Sequence, residues 1–154
     1  MAEYLSFEKL SEKIYSQFQG KSEVVFFLKG NLGTGKTTFV KHFLSQYFSI
    51  SEEVVQSPTF LKLLEYSNKN SELFLHADLY RIESREEFQK LSFEIYEQFK
   101  FLFVEWPERF DEFSSLQELR SHYAWNEIYL LDFNSNFEVK MTVLNSLKFK
   151  EHSS

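Results

Sequence analysis

Apolar residues recur at helical spacing in two segments near the start of the chain. In SFEKLSEKIYSQF, Leu10, Ile14 and Phe18 stand four residues apart, which predicts an amphipathic helix. The segment 39–47 repeats large apolar side chains at the same spacing, which predicts a second helix with one buried face. Between them, VVFFLKG is a nearly continuous apolar run that ends in glycine, a pattern typical of a buried parallel strand.

The later segments alternate between strand and helix patterns. FLKLLEY, ELFLHAD and FLFVEW each predict a short strand, and SSLQELRSHY predicts a short helix. SREEFQKLSFEIYEQF predicts a longer helix over 84–99, opened by Ser84 and Glu87 in a capping box. EIYLLDF and FEVKMTV, separated by three polar residues from Asn134, predict a C-terminal β-hairpin. This order predicts a three-layer α/β fold.

Composition narrows the class of protein. The 154 residues are enough for one domain, which we expect to span 1–154. The net charge of −6 makes the chain a poor nucleic-acid binder on its own, because such binding rests on Lys and Arg neutralising phosphates. The chain has no cysteine, which excludes disulfides and thiolate metal sites. Its charged first residues and the lack of a long apolar run lead us to expect a cytoplasmic protein without a membrane span.

A glycine-rich loop follows the first strong strand pattern. Gly30, Gly35, Lys36 and Thr37 satisfy the phosphate-loop pattern G-x-x-x-x-G-K-[ST], with an apolar strand before it and an amphipathic helix after it. Loop amides and the helix N-terminus favour a bound anion, while the lysine reaches the β- and γ-phosphates and the threonine hydroxyl binds Mg²⁺. We therefore expect these residues to contact a nucleotide: Asn31, Leu32, Gly33, Thr34, Gly35, Lys36, Thr37 and Thr38.

Two acids stand at the ends of later strand patterns. A phosphate-loop enzyme needs a further carboxylate near Mg²⁺, and Asp78 in LFLHAD and Glu105 in FLFVE both fit that requirement. The commoner role of such an acid is a solvated residue at a strand end. The chain has two prolines, Pro58 and Pro107, and each lies next to a polar segment that could belong to a site. Proline stiffens a loop, so this placement favours the site interpretation. Either acid could hold the metal or orient a water molecule.

Three further residues keep two interpretations each. Thr59 in SPTF suits either a loop that senses the γ-phosphate or a capped turn. Trp106 suits either the core, which composition favours, or a cover over the nucleotide. A histidine in the position of His76 is more often a satisfied strand-end residue than a metal ligand.

The chain has no N-K-x-D guanine motif, since NKNS lacks the aspartate, and this disfavours a GTPase.

Four segments together resemble one family. GNLGTGKTTFV, SPTF, HADLYRIESREEF and VEWPER, in this order over residues 5–109, resemble the TsaE (YjeE) family of small bacterial ATPases needed for threonylcarbamoyladenosine modification of tRNA. The resemblance implies a P-loop NTPase fold with a mixed central sheet that binds ATP or ADP with Mg²⁺. Two positions depart from the family pattern: Asn31 replaces the usual acid, and Ser92 stands where a glycine is common.

The resemblance also assigns roles to individual residues. Lys36 matches the phosphate-binding lysine of the family, and the metal site is implied to consist of Thr37, Asp78 and Glu105. Asp78 and Glu105 match the acids tied to hydrolysis, so both are candidate catalytic residues. The same resemblance adds two residues to the nucleotide site. Thr59 matches the threonine of the family's switch-like loop, and Trp106 matches its tryptophan near the nucleotide.

The resemblance implies a function carried out with other proteins. We expect an ATPase subunit, weak alone, that acts with TsaD- and TsaB-like partners and meets tRNA only indirectly, the transfer itself taking place on TsaD. Two alternatives stay open: a small-molecule P-loop kinase, and a nucleotide-gated interaction module that requires no turnover.

Overall fold

A mixed β-sheet forms the centre of the computed structural model, which describes residues 3–55, 63–93, 96 and 98–144. Within those residues the sheet has seven strands, in the spatial order β1 (Leu5–Ser6), β7 (Glu138–Val143), β6 (Glu127–Phe133), β2 (Val24–Lys29), β5 (Phe101–Glu105), β4 (Leu73–Asp78) and β3 (Leu63–Ser67). Strand β2 runs parallel to both β5 and β6, and β4 runs parallel to β5. The pairs β3–β4, β6–β7 and β1–β7 are antiparallel. The predicted mixed sheet and C-terminal hairpin are confirmed.

Helices cover both faces of this sheet. One face packs against α1 (Phe7–Gln17) and α2 (Lys36–Phe48); the other packs against α3 (Arg85–Gln89), α4 (Phe110–Phe113) and α5 (Leu116–Ser121). Alternation along β2 divides the two cores, since Phe26 points to the α1–α2 side and Phe27 to the opposite side. The three-layer α/β architecture predicted from the sequence is therefore confirmed.

The first two helices begin and end as their sequences require. Ser6 caps α1, its hydroxyl accepting a hydrogen bond from the Lys9 backbone N–H at 3.2 Å. Helix α2 starts directly after the glycine loop and ends at Ser49, whose φ of 59° stops the helical backbone. This arrangement delivers the N-terminus of α2 to the carboxyl end of β2.

The longer helix predicted over 84–99 is wrong for the residues that the structure describes after Gln89. It begins as predicted, because the Ser84 hydroxyl accepts the Glu87 N–H at 3.1 Å, but α3 ends after five residues. Leu91 and Phe93 are both buried, and side chains two apart cannot share one face of a helix. The chain turns at Ser92, which adopts the left-handed conformation with φ 54° that glycine would take without strain.

Several short elements were not predicted from the pattern. These are β1, the 3₁₀ turn Pro107–Arg109 and α4, each too short to show a period of its own. The first part of FLKLLEY and the SPTF segment with Thr59 lie outside the described residues. A search of the described residues finds no helix long and apolar enough to cross a membrane.

Candidate active site

The glycine loop joins β2 to α2 and is held by close packing. Gly35 has φ +90°, and a Cβ atom there would lie 2.8 Å from Cζ of Phe7. A Cβ atom on Gly30 would lie 2.7 Å from Oγ1 of Thr34 and 2.9 Å from Cβ of Phe133. All three separations are shorter than real Cβ atoms show, so the loop needs glycine at these two positions. The first N–H groups of α2 have no helical partner and are left for an anion.

A cavity of about 340 Å³ lies between this loop and the carboxyl ends of β4 and β5. This volume falls in the range of small-molecule sites. The cavity is lined by the candidate residues Asn31, Leu32, Gly33, Thr34, Gly35, Lys36, Thr37, Thr38, Asp78, Glu105 and Trp106. Tyr80 and Arg81 also line it, although only their place in the DLYR segment marked them in the sequence. Thr59, the other candidate, lies outside the described residues.

The Lys36 ammonium lies inside this cavity. Its Nζ donates to the backbone oxygens of Gly30 and, at 3.4 Å, of Asn31, and it lies 4.4 Å from the centre of the Trp106 ring. Burial lowers the pKa of Lys36 from its ordinary value, although the negative charge of Glu105 acts to raise it. The ammonium is therefore incompletely compensated, and a phosphate group would supply the negative charge that it lacks.

Glu105 receives two hydrogen bonds on one oxygen. Its Oε2 lies 3.0 Å from Oγ1 of Thr37, which donates, and 2.6 Å from Nε2 of His76. Burial alone raises the pKa of the Glu105 carboxyl, but His76, Thr37 and Lys36 outweigh it and bring the pKa below its ordinary value. Glu105 is therefore ionised at neutral pH, and it orients the Thr37 hydroxyl by accepting a hydrogen bond from it.

Asp78 lies beside Glu105 because the two are register partners on the parallel strands β4 and β5. Its Oδ1 accepts the Tyr80 backbone N–H at 2.8 Å. Burial raises the pKa of Asp78, and the charge of Glu105 adds to that effect. The exposures of Asp78 and Glu105, 7% and 4%, show that neither is the solvated strand-end residue of the alternative interpretation. Neighbouring acids with opposite pKa shifts are typical of functional sites.

Trp106 follows Glu105 with a left-handed backbone, φ 59°, which turns its ring toward the loop. The ring packs against the core on one side and lies 4.8 Å from the Tyr80 ring, between centres. Arg109 ties the same two segments together, since its Nη2 donates to the Tyr80 backbone oxygen at 3.1 Å. Trp106 therefore contacts the core and also lines the cavity, and its role as a cover over the nucleotide stays a prediction.

The oxygen atoms of the site fit a magnesium ion. Thr37, Asp78 and Glu105 offer a hydroxyl and two carboxylates, and Mg²⁺ prefers oxygen ligands and is often held by one or two carboxylates together with substrate phosphates. Among the described residues, no group of three His, Cys, Asp or Glu side chains could hold a metal by itself. A metal here would therefore rely on the phosphates of a bound nucleotide as further ligands.

The contact between His76 and Glu105 was not predicted from the sequence. His76 is fully buried and touches Glu105, whereas we expected an ordinary strand-end histidine. One signal was available: His76 stands two residues before Asp78, so both point to the same face of their strand. The identity of the neighbouring strand was not available from that spacing.

Comparison with known proteins points to one family. A family model named Threonylcarbamoyl adenosine biosynthesis protein TsaE matches residues 2–131. A tRNA threonylcarbamoyladenosine biosynthesis protein TsaE from Rickettsia typhi is 33% identical over 96 residues, which is 62% of this chain and 65% of the relative. Proteins of the same name from Aquifex aeolicus and Nostoc sp. are 43% and 46% identical over 74 and 72 residues. Those two matches cover 48% and 47% of this chain, and 53% and 42% of the relatives.

Each of these matches spans less than two thirds of the relative's own length. The family model, in contrast, covers both strands that carry the acids, the glycine loop and the Trp106 segment. The four segments that suggested the resemblance all fall within it. Since the model matches well over half of the chain, the chain belongs to the TsaE family.

Proposed function

We propose that this chain is a Mg²⁺-dependent ATPase of threonylcarbamoyladenosine biosynthesis on tRNA, acting with TsaD- and TsaB-like partner proteins. The observation that carries the proposal is the hydrogen bond of 3.0 Å between Thr37 and Glu105, at the mouth of the glycine loop. It joins the metal-binding position of the phosphate loop to an ionised acid on the adjacent strand. That pairing is what a phosphate loop needs for nucleotide hydrolysis, beyond binding an anion.

We assign the phosphate-binding half of the site to Lys36 and the loop amides. Both would contact the β- and γ-phosphates of ATP and would stabilise the charge that develops on the phosphate oxygens in the transition state. Thr37 and Glu105 would hold Mg²⁺, which supplies positive charge to the phosphates when it is bound. To make these contacts, Lys36 would leave the backbone oxygens of Gly30 and Asn31.

The two acids divide the remaining work between them. Glu105 is constrained by Thr37 and His76, so we assign it to the metal side of the site. Asp78 uses Oδ1 to accept the Tyr80 N–H, and its pKa is raised by burial, as suits a group that orients or accepts a proton from water. We therefore assign the attacking water to Asp78.

Nucleotide binding by the purified chain tests the first step. Binding of ATP or ADP with Mg²⁺ stabilises the folded protein, by about 2.7 kcal/mol at a ligand concentration of 100 times the dissociation constant, so a thermal-shift titration reports it. Lys36→Ala should weaken binding about 10- to 100-fold, since a hydrogen bond to a charged group contributes about 1.5–3 kcal/mol. Lys41→Ala, which removes the same charge from the same helix, is the matched control. Equal binding by both variants would refute the site assignment.

The cellular role needs a separate test in a bacterial strain that lacks its own TsaE-family protein. The wild-type chain should restore threonylcarbamoyladenosine in tRNA, measured by mass spectrometry of digested nucleosides. Asp78→Asn should bind nucleotide and fail to restore the modification. Full modification by Asp78→Asn would instead favour a nucleotide-gated interaction module in which turnover is dispensable. Failure of wild-type to restore modification, or to capture TsaD- and TsaB-like proteins in the presence of ATP, would count against the proposed role.

A further inference from the structure

His76 is a polar residue in a place that apolar side chains otherwise fill. It lies on the α2-facing side of β4, opposite Leu64 on β3 and Phe103 on β5, and it has no exposed surface. The residue two positions earlier on the same face is Phe74, which is equally buried. An apolar side chain would therefore satisfy the packing requirement at position 76.

The imidazole makes one polar contact among the described residues. Its Nε2 lies 2.6 Å from Oε2 of Glu105, while its Nδ1 is buried with no hydrogen-bond partner in the described part of the chain. Leaving a ring nitrogen buried and unpaired is costly. The fold tolerates that cost at a position where Leu or Phe would avoid it, so the contact with Glu105 is the feature that distinguishes histidine here.

The direction of this hydrogen bond follows from the chemistry of its two partners. A carboxylate only accepts hydrogen bonds, so Nε2 of His76 carries the proton and donates it. The Thr37 hydroxyl donates to the same Oε2 atom from α2. The carboxylate is thus held between a donor on the neighbouring strand and a donor on the helix, and among described residues Oε1 accepts no hydrogen bond.

We propose that His76 is a positioning residue that fixes the Glu105 carboxylate, and through it the Thr37 hydroxyl, in the orientation needed for Mg²⁺-dependent nucleotide hydrolysis. The effect on hydrolysis rests on the proposed function, whereas the contact between His76 and Glu105 does not depend on it. Removing a residue that hydrogen-bonds a metal ligand and orients it typically lowers metal affinity or activity 10- to 100-fold.

Nitrogen-15 NMR of the ligand-free protein tests the geometry without any nucleotide. With labelled histidine, the proton bound to Nε2 of His76 should exchange slowly with water and should be recognisable in the wild-type chain. Its resonance should lie far downfield, as a short hydrogen bond to a carboxylate requires, and Glu105→Leu should move it upfield because the acceptor is gone. A proton found on Nδ1 alone, or an unchanged chemical shift in Glu105→Leu, would overturn the assigned contact.

Variants of His76 test the consequence. His76→Phe keeps a ring but removes the donor, and His76→Gln keeps an N–H donor at a similar reach. Phe74→Leu, on the same face of the same strand, is the control for lost packing. The measurements are kcat and KM for ATP, the Mg²⁺ concentration that gives half of the maximal rate, and ADP affinity in EDTA.

We expect His76→Phe to lower kcat or raise the half-maximal Mg²⁺ concentration about 10- to 100-fold, with ADP affinity in EDTA nearly unchanged. His76→Gln should recover most of that loss, and Phe74→Leu should lower the melting temperature without changing the Mg²⁺ requirement. Wild-type behaviour of His76→Phe, or the same loss in Phe74→Leu, would overturn the inference. A wild-type chain that neither binds nor hydrolyses ATP would refute the proposed function and, with it, the consequence proposed for His76; the NMR result would still decide the contact with Glu105.

Discussion

Replacing Gly35 with alanine should destabilise the nucleotide-free protein more than the same replacement at Gly33. Both glycines have positive φ, +90° and +83°, so both variants carry backbone strain. A Cβ atom at position 33 meets nothing within 4 Å, whereas one at position 35 would lie 2.8 and 2.9 Å from two carbons of the Phe7 ring. That ring packs edge-on against Phe39 and Phe133, with centres 5.7 and 5.8 Å away, and cannot easily withdraw.

The loss of stability expected for each variant follows from the backbone strain and, at position 35, from the contact with Phe7. A left-handed backbone costs alanine about 1–2 kcal/mol, and the stiffer unfolded chain returns about 0.4–1 kcal/mol, so Gly33→Ala should lose about 1 kcal/mol. Overpacking adds about 1–3 kcal/mol at position 35, which gives a total loss of about 2–4 kcal/mol for Gly35→Ala. For a chain of this size each kcal/mol lowers Tm by about 2–4 °C.

Urea unfolding followed by circular dichroism measures both losses, and a double-mutant cycle identifies their cause. Phe7→Leu removes the ring that the new methyl group would meet, so Gly35→Ala should cost less in that background. The cost of Gly33→Ala should be the same in both backgrounds. Equal losses for the two glycine variants, or a loss at Gly35 that Phe7→Leu does not relieve, would refute the packing argument.

Three further predictions concern charge and fluorescence. The two acids should have opposite pH signatures. The lowered pKa of Glu105 stabilises the fold above its unfolded pKa, so the loss in Glu105→Gln should be full at neutral pH and should fade as the pH falls through the folded pKa. The raised pKa of Asp78 makes its ionised form unfavourable in the fold, so Asp78→Asn should stabilise at neutral pH and lose that gain below the unfolded pKa; urea titrations across pH check both. Lys36→Met should raise Tm in a thermal melt of the nucleotide-free protein, since burial disfavours the ammonium. With Trp125→Phe leaving Trp106 as the reporter, ADP with Mg²⁺ should change the fluorescence as Lys36 leaves the ring, and Lys36→Ala should not respond.

The sequence predicted those features that a local pattern specifies. The strand before the glycine loop shows a continuous apolar run, and the amphipathic α2 and the C-terminal hairpin each show their pattern over several residues; all three are confirmed. The loop motif and the two acids were also recognisable, because each acid ends an apolar run and parallel strands bring such ends to one edge.

Tertiary packing determined what local pattern could not predict. The run after Ser84 reads as a helix throughout, yet the core needs both Leu91 and Phe93, and this requirement turns the chain at Ser92. Likewise, the spacing of His76 and Asp78 gives a shared face but not the neighbour that His76 meets. That neighbour depends on β4 pairing with β5, two strands separated along the chain by α3.

The site is preorganised on one side only. Glu105 has its two donors, Thr37 and His76, fixed by α2 and β4. Lys36, by contrast, donates to two backbone oxygens of its own loop, which are neutral and weaker partners than a phosphate anion. Nucleotide binding should therefore move Lys36 and leave Glu105 in place, so loss of Lys36 should affect affinity first. Loss of the donors behind Glu105 should affect turnover and the Mg²⁺ requirement, because only the orientation of the acid has changed.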